Sequence, residues 1–416
     1  MYTKTPFILS FLFIFTTFFS SKAQNSIGRQ EAIQLIQEGD SFLQFGMWDR
    51  ALISYSNAIE TDREYAEAYM KRGQLYERIL RTQEAAIDYN TAIQLNPLID
   101  IYYDQRARLK MLSFDYYGAL EDITKAIEIN TSNHNYLKYQ VDGFISLGMY
   151  EEALGNLDSI SADEGYELYS FQRKALIHLL NDDIALAEST INKALEIDNK
   201  AYLTLDLIGL ISLKKEDYQG AISWFNQAIA IDPSQYVSFY NRGICYRFLG
   251  ETELALKDIN QSITLNNQQR DAFFKRALIK KEQGNFEGAI SDYESAISID
   301  SSYADAIYNR SFTYKILGDY LSAEKDIDLL INDTQDKPEY WNMKGNLLVL
   351  HGDIEEAITF YNEAISINYE YSEAYYNRGI ANLLLNHTIQ ACQDFHRSVD
   401  LGNPKAEAVI LNFCGY

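Results

Sequence analysis

The chain has 416 residues, of which 47% are hydrophobic, and a formal net charge of −23. This is enough apolar material for a large core. The negative charge disfavours nucleic acid and anionic membrane surfaces, because no long basic run compensates for it locally, and we expect no nucleic acid partner. The acidity is better explained by the solubility of a long exposed surface than by a basic partner.

The first 23 residues predict a secretory signal peptide. Lys4 precedes an apolar run from Pro6 to Phe19, and Ser21-Lys22-Ala23 places a small residue at each end of a cleavage triplet before Gln24. The run is shorter than the roughly 20 apolar residues that span a bilayer, and no later stretch approaches that length. An uncleaved N-terminal anchor is the alternative. We expect a mature protein in the periplasm or outside the cell, with a charge of −25 because cleavage removes two lysines and no acid.

From Ala32 onward the sequence repeats every 34 residues without insertion or deletion. When places are counted from the first residue of each repeat, place 8 is small in ten of eleven repeats, and large apolar residues recur at place 24. Place 20 is alanine in all eleven repeats: Ala51, Ala85, Ala119, Ala153, Ala187, Ala221, Ala255, Ala289, Ala323, Ala357 and Ala391. A fixed period of this length indicates stacked helix pairs, and the small residues predict that the two helices of a repeat cross closely where places 8 and 20 meet.

In this pattern the sequence resembles the tetratricopeptide repeat family over residues 32–405, with residues 24–31 as a lead-in and 406–416 as a capping half-repeat. The resemblance implies an all-α, right-handed superhelical solenoid of antiparallel helix pairs whose first helices line a concave groove. It also implies a non-enzymatic protein that binds proteins or peptides without a cofactor or metal. Repeat 4 departs from the pattern at Ile160 and Gly165, which predicts a weak seam near 159–167 within one solenoid.

Arginine stands at place 7 of six repeats, and aspartate stands at place 23 of the same six. The other five repeats have neither residue at these places. We therefore predict that each arginine grips the aspartate of its own repeat through two hydrogen bonds and is structural. The predicted pairs are Arg72 with Asp88, Arg106 with Asp122, Arg242 with Asp258, Arg276 with Asp292, Arg310 with Asp326, and Arg378 with Asp394.

Places 5, 6, 9 and 12 of repeats 7 to 11 predict a peptide-binding surface on the groove side of the first helices. Asparagine at place 6 suits a peptide backbone because it both donates and accepts hydrogen bonds, and family members that thread peptides use such a ladder, which Leu207 and Met343 interrupt here. Apolar residues at places 5 and 9 would anchor the partner beside cations at place 12. The predicted surface comprises Tyr240, Asn241, Ile244, Arg247, Phe274, Lys275, Lys281, Tyr308, Asn309, Phe312, Lys315, Tyr376 and Asn377.

Plainer explanations of this pattern stay open. The apolar stripe would also arise from tight packing between repeats, and the cations from the dipole at the end of each first helix. The two-carboxylate clamp of the family is absent, since Lys138 fits its first position but Asp142, Leu203 and Leu207 occupy the others. A carbohydrate- or cell-wall-binding protein that stacks sugars on its 32 tyrosines is the alternative function, and a spacer or self-assembling solenoid is a third.

The cysteines near the C-terminus allow a disulfide between Cys392 and Cys414, which would suit an oxidising compartment. Two separate core cysteines are the alternative. A zinc site with His387 and His396 is disfavoured, because the spacing matches no established pattern. Cys245 is expected to be unpaired and buried.

Overall fold

The computed structural model describes residues 27–161 and 165–415. The predicted signal peptide, residues 24–26 of the lead-in, residues 162–164 of the predicted seam, and the last residue lie outside the described residues. Within the described ranges the chain forms twenty-three helices and no strand. Every helix in these ranges is too short or too polar to be a membrane span.

The chain divides into two compact modules, which we call the N-terminal module (Met1–Asp198) and the C-terminal module (Asn199–Tyr416). The boundary follows Asp198 in the fifth repeat, whereas the predicted seam lies in the fourth. The N-terminal module contains α1 (27–44), α2 (Trp48–Thr61), α3 (Ala66–Arg78), α4 (Thr82–Leu95), α5 (Asp100–Leu112), α6 (Tyr116–Ile129), α7 (Asn135–Ser146), α8 (Tyr150–Ser161), α9 (Glu167–Leu180) and α10 (Ile184–Ile197).

The C-terminal module continues the same alternation of two short helices and two turns. It contains α11 (Tyr202–Lys214), α12 (Tyr218–Ile231), α13 (Tyr236–Phe248), α14 (Thr252–Leu265), α15 (Arg270–Glu282), α16 (Phe286–Ile299), α17 (Ala304–Leu317), α18 (Tyr320–Asp333), α19 (Pro338–His351), α20 (Ile354–Ile367), α21 (Ser372–Leu384), α22 (Thr388–Asp400) and α23 (Lys405–Phe413).

The 34-residue period of the sequence is also the period of the structure. The even-numbered helices α2 to α22 all begin at place 17 of their repeats, and the odd-numbered helices α3 to α21 begin within one residue of place 1. Within each module the two helices of a repeat pack against each other and against the next pair. The observed fold is therefore the all-α stack of helix pairs that the sequence predicts.

The recurring small residues explain how tightly each pair packs. The alanine at place 20 is fully buried in all eleven repeats. A Cβ atom added to the place-8 glycine would lie 2.6 Å from the ring of Phe225 at Gly209 and 2.5 Å from the ring of Tyr361 at Gly345. Place 8 thus makes room mainly for the place-24 ring, and only at Gly243 does the main chain of place 20 come equally close.

Candidate peptide-binding surface

The structure brings the predicted arginine and aspartate partners together in all six repeats. Each arginine Nε donates to Oδ2 of its aspartate over 2.6 to 3.0 Å, and Nη2 donates to the other carboxylate oxygen. The aspartates are buried, and the arginine side chains are 17 to 23% exposed. These arginines therefore link the two helices of a repeat, and two of the five N–H donors of each guanidinium are used for this.

A third contact of the arginines was not foreseen from the sequence. Nη1 of Arg276 donates to Asn260 over 2.6 Å, and Asn260 stands at place 25 of the preceding repeat. The same contact joins Arg106 to Asn90, Arg242 to Asn226 and Arg378 to Asn362. Each of these arginines consequently ties three helices across two repeats. The signal for it was in the sequence, because an asparagine stands at place 25 before four of the six arginines.

Two residues of the predicted surface are buried, which corrects their assignment as partner contacts. Phe274 is 7% exposed and packs against the rings of Tyr293 and Tyr303, with centroids 6.0 and 5.2 Å away. Asn241 is also only 7% exposed. For Phe274 the physical reason is that its ring packs between helices, where burying a large ring removes more apolar area from water than exposing it in a groove would.

The other predicted tyrosines follow the same trend to a lesser degree. Tyr308 packs on Tyr340 with centroids 5.6 Å apart, and Tyr376 packs on Phe395 at 6.0 Å. Tyr240 contacts the buried residues of α14 and α15. These rings are partly buried, Tyr308 against the next repeat and Tyr376 against the second helix of its own repeat. Packing inside the helix stack, within and between repeats, therefore accounts for most of place 5.

The predicted asparagine ladder is engaged in local hydrogen bonds. Asn309 accepts a hydrogen bond from Lys281 Nζ over 2.8 Å and donates to the Asp305 carbonyl over 2.9 Å. Asn377 donates to the Asn342 side chain of the preceding repeat over 2.9 Å. A peptide backbone would have to displace these contacts before it formed hydrogen bonds with Asn309 or Asn377.

Five large apolar side chains are exposed on the first helices of repeats 9, 10 and 11, and four of them, all but Leu317 at the end of α17, stand at places 9 and 13. Phe312 and Ile316 lie one helical turn apart on α17 and are 37% and 45% exposed. Leu350 and Leu384 occupy the position of Ile316 in α19 and α21 and are 49% and 54% exposed. We call Phe312, Ile316, Leu350 and Leu384 the apolar row. The surface predicted from the sequence did not include place 13, although apolar residues recur there in three successive repeats.

Basic residues of the prediction surround Phe312. Lys281 Nζ lies 5.5 Å and Lys315 Nζ 4.8 Å from the centroid of its ring. Burial lowers the pKa of both lysines; at Lys281 the Glu282 carboxylate opposes this shift, and Arg247, which pairs with Glu282, adds to it less strongly. Lys275 lies 5.4 Å from the ring of its neighbour Phe274, and Ile244 is partly buried on α13.

The C-terminal cysteines form a disulfide between Cys392 on α22 and Cys414 just after α23. Both sulfur atoms are part of the disulfide, so neither cysteine has a free thiol that could bind zinc. Cys245 is unpaired and buried, and burial raises the pKa of its thiol to about 12.

One buried carboxylate of the C-terminal module is held by a neutral donor. Asp206 on α11 is 5% exposed and accepts a hydrogen bond from the Ser238 hydroxyl of α13 over 2.6 Å. Burial raises its pKa to about 6, and the serine hydrogen bond only partly opposes this shift.

Comparison with known proteins agrees with this fold. Models of the tetratricopeptide repeat match residues 36–98, 204–235 and 236–269, and a TPR repeat model matches residues 277–318 and 345–386. Together these segments cover about half of the chain. The crystal structure of a tetratricopeptide repeat protein from Parabacteroides merdae covers 60% of this chain and 99% of its own, with 20% identity and a TM-score of 0.45.

Two relatives match single stretches of the sequence. Tetratricopeptide repeat protein 13 of Homo sapiens is 30% identical over 104 residues, which are 25% of this chain and 12% of that protein. RNA polymerase II-associated protein 3 of Xenopus tropicalis is 25% identical over 108 residues, which are 26% of this chain and 16% of that protein. This chain therefore spans only a small part of either relative. The constant helix spacing and the repeat matches in both modules show that the chain belongs to the tetratricopeptide repeat family.

Proposed function

We propose that this protein is a non-enzymatic scaffold that binds a protein or peptide partner on the exposed face of α17, α19 and α21. Proteins with tetratricopeptide repeats are generally protein-interaction scaffolds. The observation that carries the proposal is the apolar row, which recurs at equivalent positions of neighbouring helices. Single exposed apolar residues are ordinary on protein surfaces, but a contiguous apolar patch is typical of an interaction site.

The proposal keeps only part of the surface expected from the sequence. Phe312, Lys281 and Lys315 stay in it because they are accessible and adjacent. Phe274 and Asn241 leave it because they are buried. Tyr308 and Tyr376 are mainly engaged in packing on Tyr340 and Phe395.

The carbohydrate-binding alternative gains no support from the tyrosines. Among the tyrosines in the part of the chain that the structure describes, only Tyr117 and Tyr369 are exposed, at 70% and 67%. Tyr117 lies in the N-terminal module and Tyr369 in the C-terminal module, and within the described part of its own module neither is joined by a second exposed tyrosine.

Site-specific cross-linking tests the proposed surface. A photoreactive benzoylphenylalanine in place of Ile316 or Leu350 is expected to cross-link one and the same partner, identified by mass spectrometry, in the cells that make the protein. The matched control is the same residue in place of Leu254, which is 42% exposed on the second helix α14. Phe312→Ser is expected to lower the yield at position 316 at least tenfold. Equal yields at positions 316 and 254, or no effect of Phe312→Ser, would contradict the proposal.

We also propose that the protein is exported and cleaved after Ala23. The disulfide supports export, because such bonds persist in oxidising compartments. Intact-mass and peptide analysis of the unreduced native protein is expected to find an N-terminus at Gln24 and a linked pair of peptides containing Cys392 and Cys414. Native protein that retains Met1 or carries both cysteines as free thiols would argue against export.

A further inference from the structure

We propose that Lys281 and Lys315, on either side of Phe312, form a carboxylate-binding subsite, so that the segment bound on this face is an acidic peptide with an apolar side chain between its carboxylates. This inference rests on the proposed function and specifies the chemistry of the partner.

The two ammonium groups share one ring, and the one carboxylate that acts on either of them, Glu282 near Lys281, is itself paired with Arg247. Lys281 donates to the neutral side chain of Asn309, and Lys315 lies over the ring of Phe312. Among the residues that the structure describes, no carboxylate lies within ion-pair distance of either lysine. Both side chains are partly buried, so water solvates the two ammonium groups only in part and does not fully substitute for a carboxylate.

Several other lysines that are at least partly buried do have a carboxylate. Lys110 lies 2.8 Å from Asp122, Lys280 lies 2.8 Å from Asp292, and Lys344 lies 2.6 Å from Glu324. Partly buried Lys138 and Lys275 lie near aromatic rings and, in the described structure, are not in an ion pair. Lys281 and Lys315 differ from these in that two such lysines share one half-exposed ring, that of Phe312, beside the apolar row.

A third cation strengthens the local positive field. Arg247 at the corresponding place of α13 pairs with Glu282, but its Nε is buried and has no hydrogen-bond acceptor in the described structure. Burial lowers the pKa of Lys281 most, Glu282 opposes this shift, and Arg247 adds a smaller repulsion. A bound carboxylate would relieve this repulsion and accept hydrogen bonds from the lysine ammonium groups.

The helix dipole accounts for part of the arrangement but not for all of it. Lys281 and Lys315 lie in the last turns of α15 and α17, where a cation is favoured by about 0.3–1 kcal/mol. The dipole would be satisfied equally well by lysines that extend into solvent. It does not explain why both ammonium groups lie against the same half-exposed ring on the face that carries the apolar row.

The fit of such a peptide follows from the geometry. Its apolar side chain would contact Phe312 and Ile316, while carboxylates on either side would reach Lys281 and Lys315. Charge complementarity of this kind raises the association rate and orients the partner, and it weakens as salt screens the charges. A basic peptide would be repelled locally even though the whole protein is acidic.

Two synthetic blocked peptides of equal length provide the probe, one alternating glutamate with leucine and one alternating glutamine with leucine. In fluorescence anisotropy with the full chain, the glutamate peptide is expected to bind at least tenfold more tightly at low salt. Lys281→Gln with Lys315→Gln is expected to abolish this preference. Lys257→Gln with Lys325→Gln makes the same change in net charge on exposed parts of α14 and α18, and it is expected to leave the preference intact.

The outcomes separate the subsite from the proposed function. Lys281→Arg with Lys315→Arg is expected to keep the preference, which excludes misfolding as the cause of its loss. Equal binding of the two peptides, or equal losses in the test and control variants, would overturn the subsite. If Phe312→Ser abolishes partner cross-linking at position 316 while the double glutamine variant leaves it unchanged, the proposed function stands and the acidic-peptide inference falls.

Discussion

Replacing Arg242 with alanine is expected to lower the free energy of unfolding of the C-terminal module by about 3 kcal/mol, because it leaves a buried carboxylate without its partner. Arg242 donates to Asp258 through Nε and Nη2 over 2.6 and 2.8 Å, and Asp258 is 4% exposed. Hydrogen exchange is expected to show the largest loss of amide protection in α13 and α14, because repeat proteins unfold in local steps.

A double-variant cycle shows whether the loss comes from the ion pair. Asp258→Ala added to Arg242→Ala is expected to cause little further loss, because no buried charge then remains. Arg270→Ala is the control, since Arg270 pairs with Asp300 while 46% exposed, and such surface pairs contribute about 1 kcal/mol or less. Additive losses at positions 242 and 258 would mean that the two side chains act independently.

Replacing Asp206 with asparagine is expected to stabilise the C-terminal module at neutral pH by up to about 3 kcal/mol. The pKa of Asp206 is raised from 3.8 to about 6 by burial. The folded state therefore binds the proton more tightly than the unfolded state, so the contribution of Asp206 to stability is greatest below pH 3.8 and falls as the pH rises to about 6. Asparagine lacks this titration but can still accept the hydrogen bond of Ser238.

Denaturant unfolding of both proteins at pH 4 and pH 8 measures this effect. The advantage of Asp206→Asn is expected to be small at pH 4 and large at pH 8. Asp333→Asn, at an exposed position of α18, is the control and should change stability by less than about 0.5 kcal/mol at either pH. If the stability advantage of Asp206→Asn did not increase with pH, Asp206 would not be a buried carboxylate with a raised pKa.

The repeat fold could be predicted because its determinants lie at fixed local distances in the sequence. The alanine at place 20 and the arginine with its aspartate depend only on how two helices of one repeat face each other. The same regularity would have revealed Asn260 and its equivalents, had place 25 been compared with the arginine of the following repeat.

The candidate surface was harder to predict, because exposure depends on which side chains of other helices cover a residue. Phe274 at place 5 and Phe312 at place 9 are both aromatic and both stand on a first helix, yet one is 7% and the other 37% exposed. The rings of Tyr293 and Tyr303 lie against Phe274, whereas the side chains of Lys281 and Lys315 lie beside Phe312. Sequence periodicity identifies the helix face but not these neighbours.

The contact from each arginine to the preceding repeat bears on how arrays of this kind change length. If repeat 8 were lost by recombination, Asn260 of repeat 7 would come to stand before Arg310 of repeat 9 and could accept its hydrogen bond in place of the lost Arg276. Because the same hydrogen bond recurs at equivalent positions, a gene can gain or lose a whole repeat and the newly adjacent repeats can still form it. The stretch between Asn226 and Arg310 is therefore where natural length variants should be sought first.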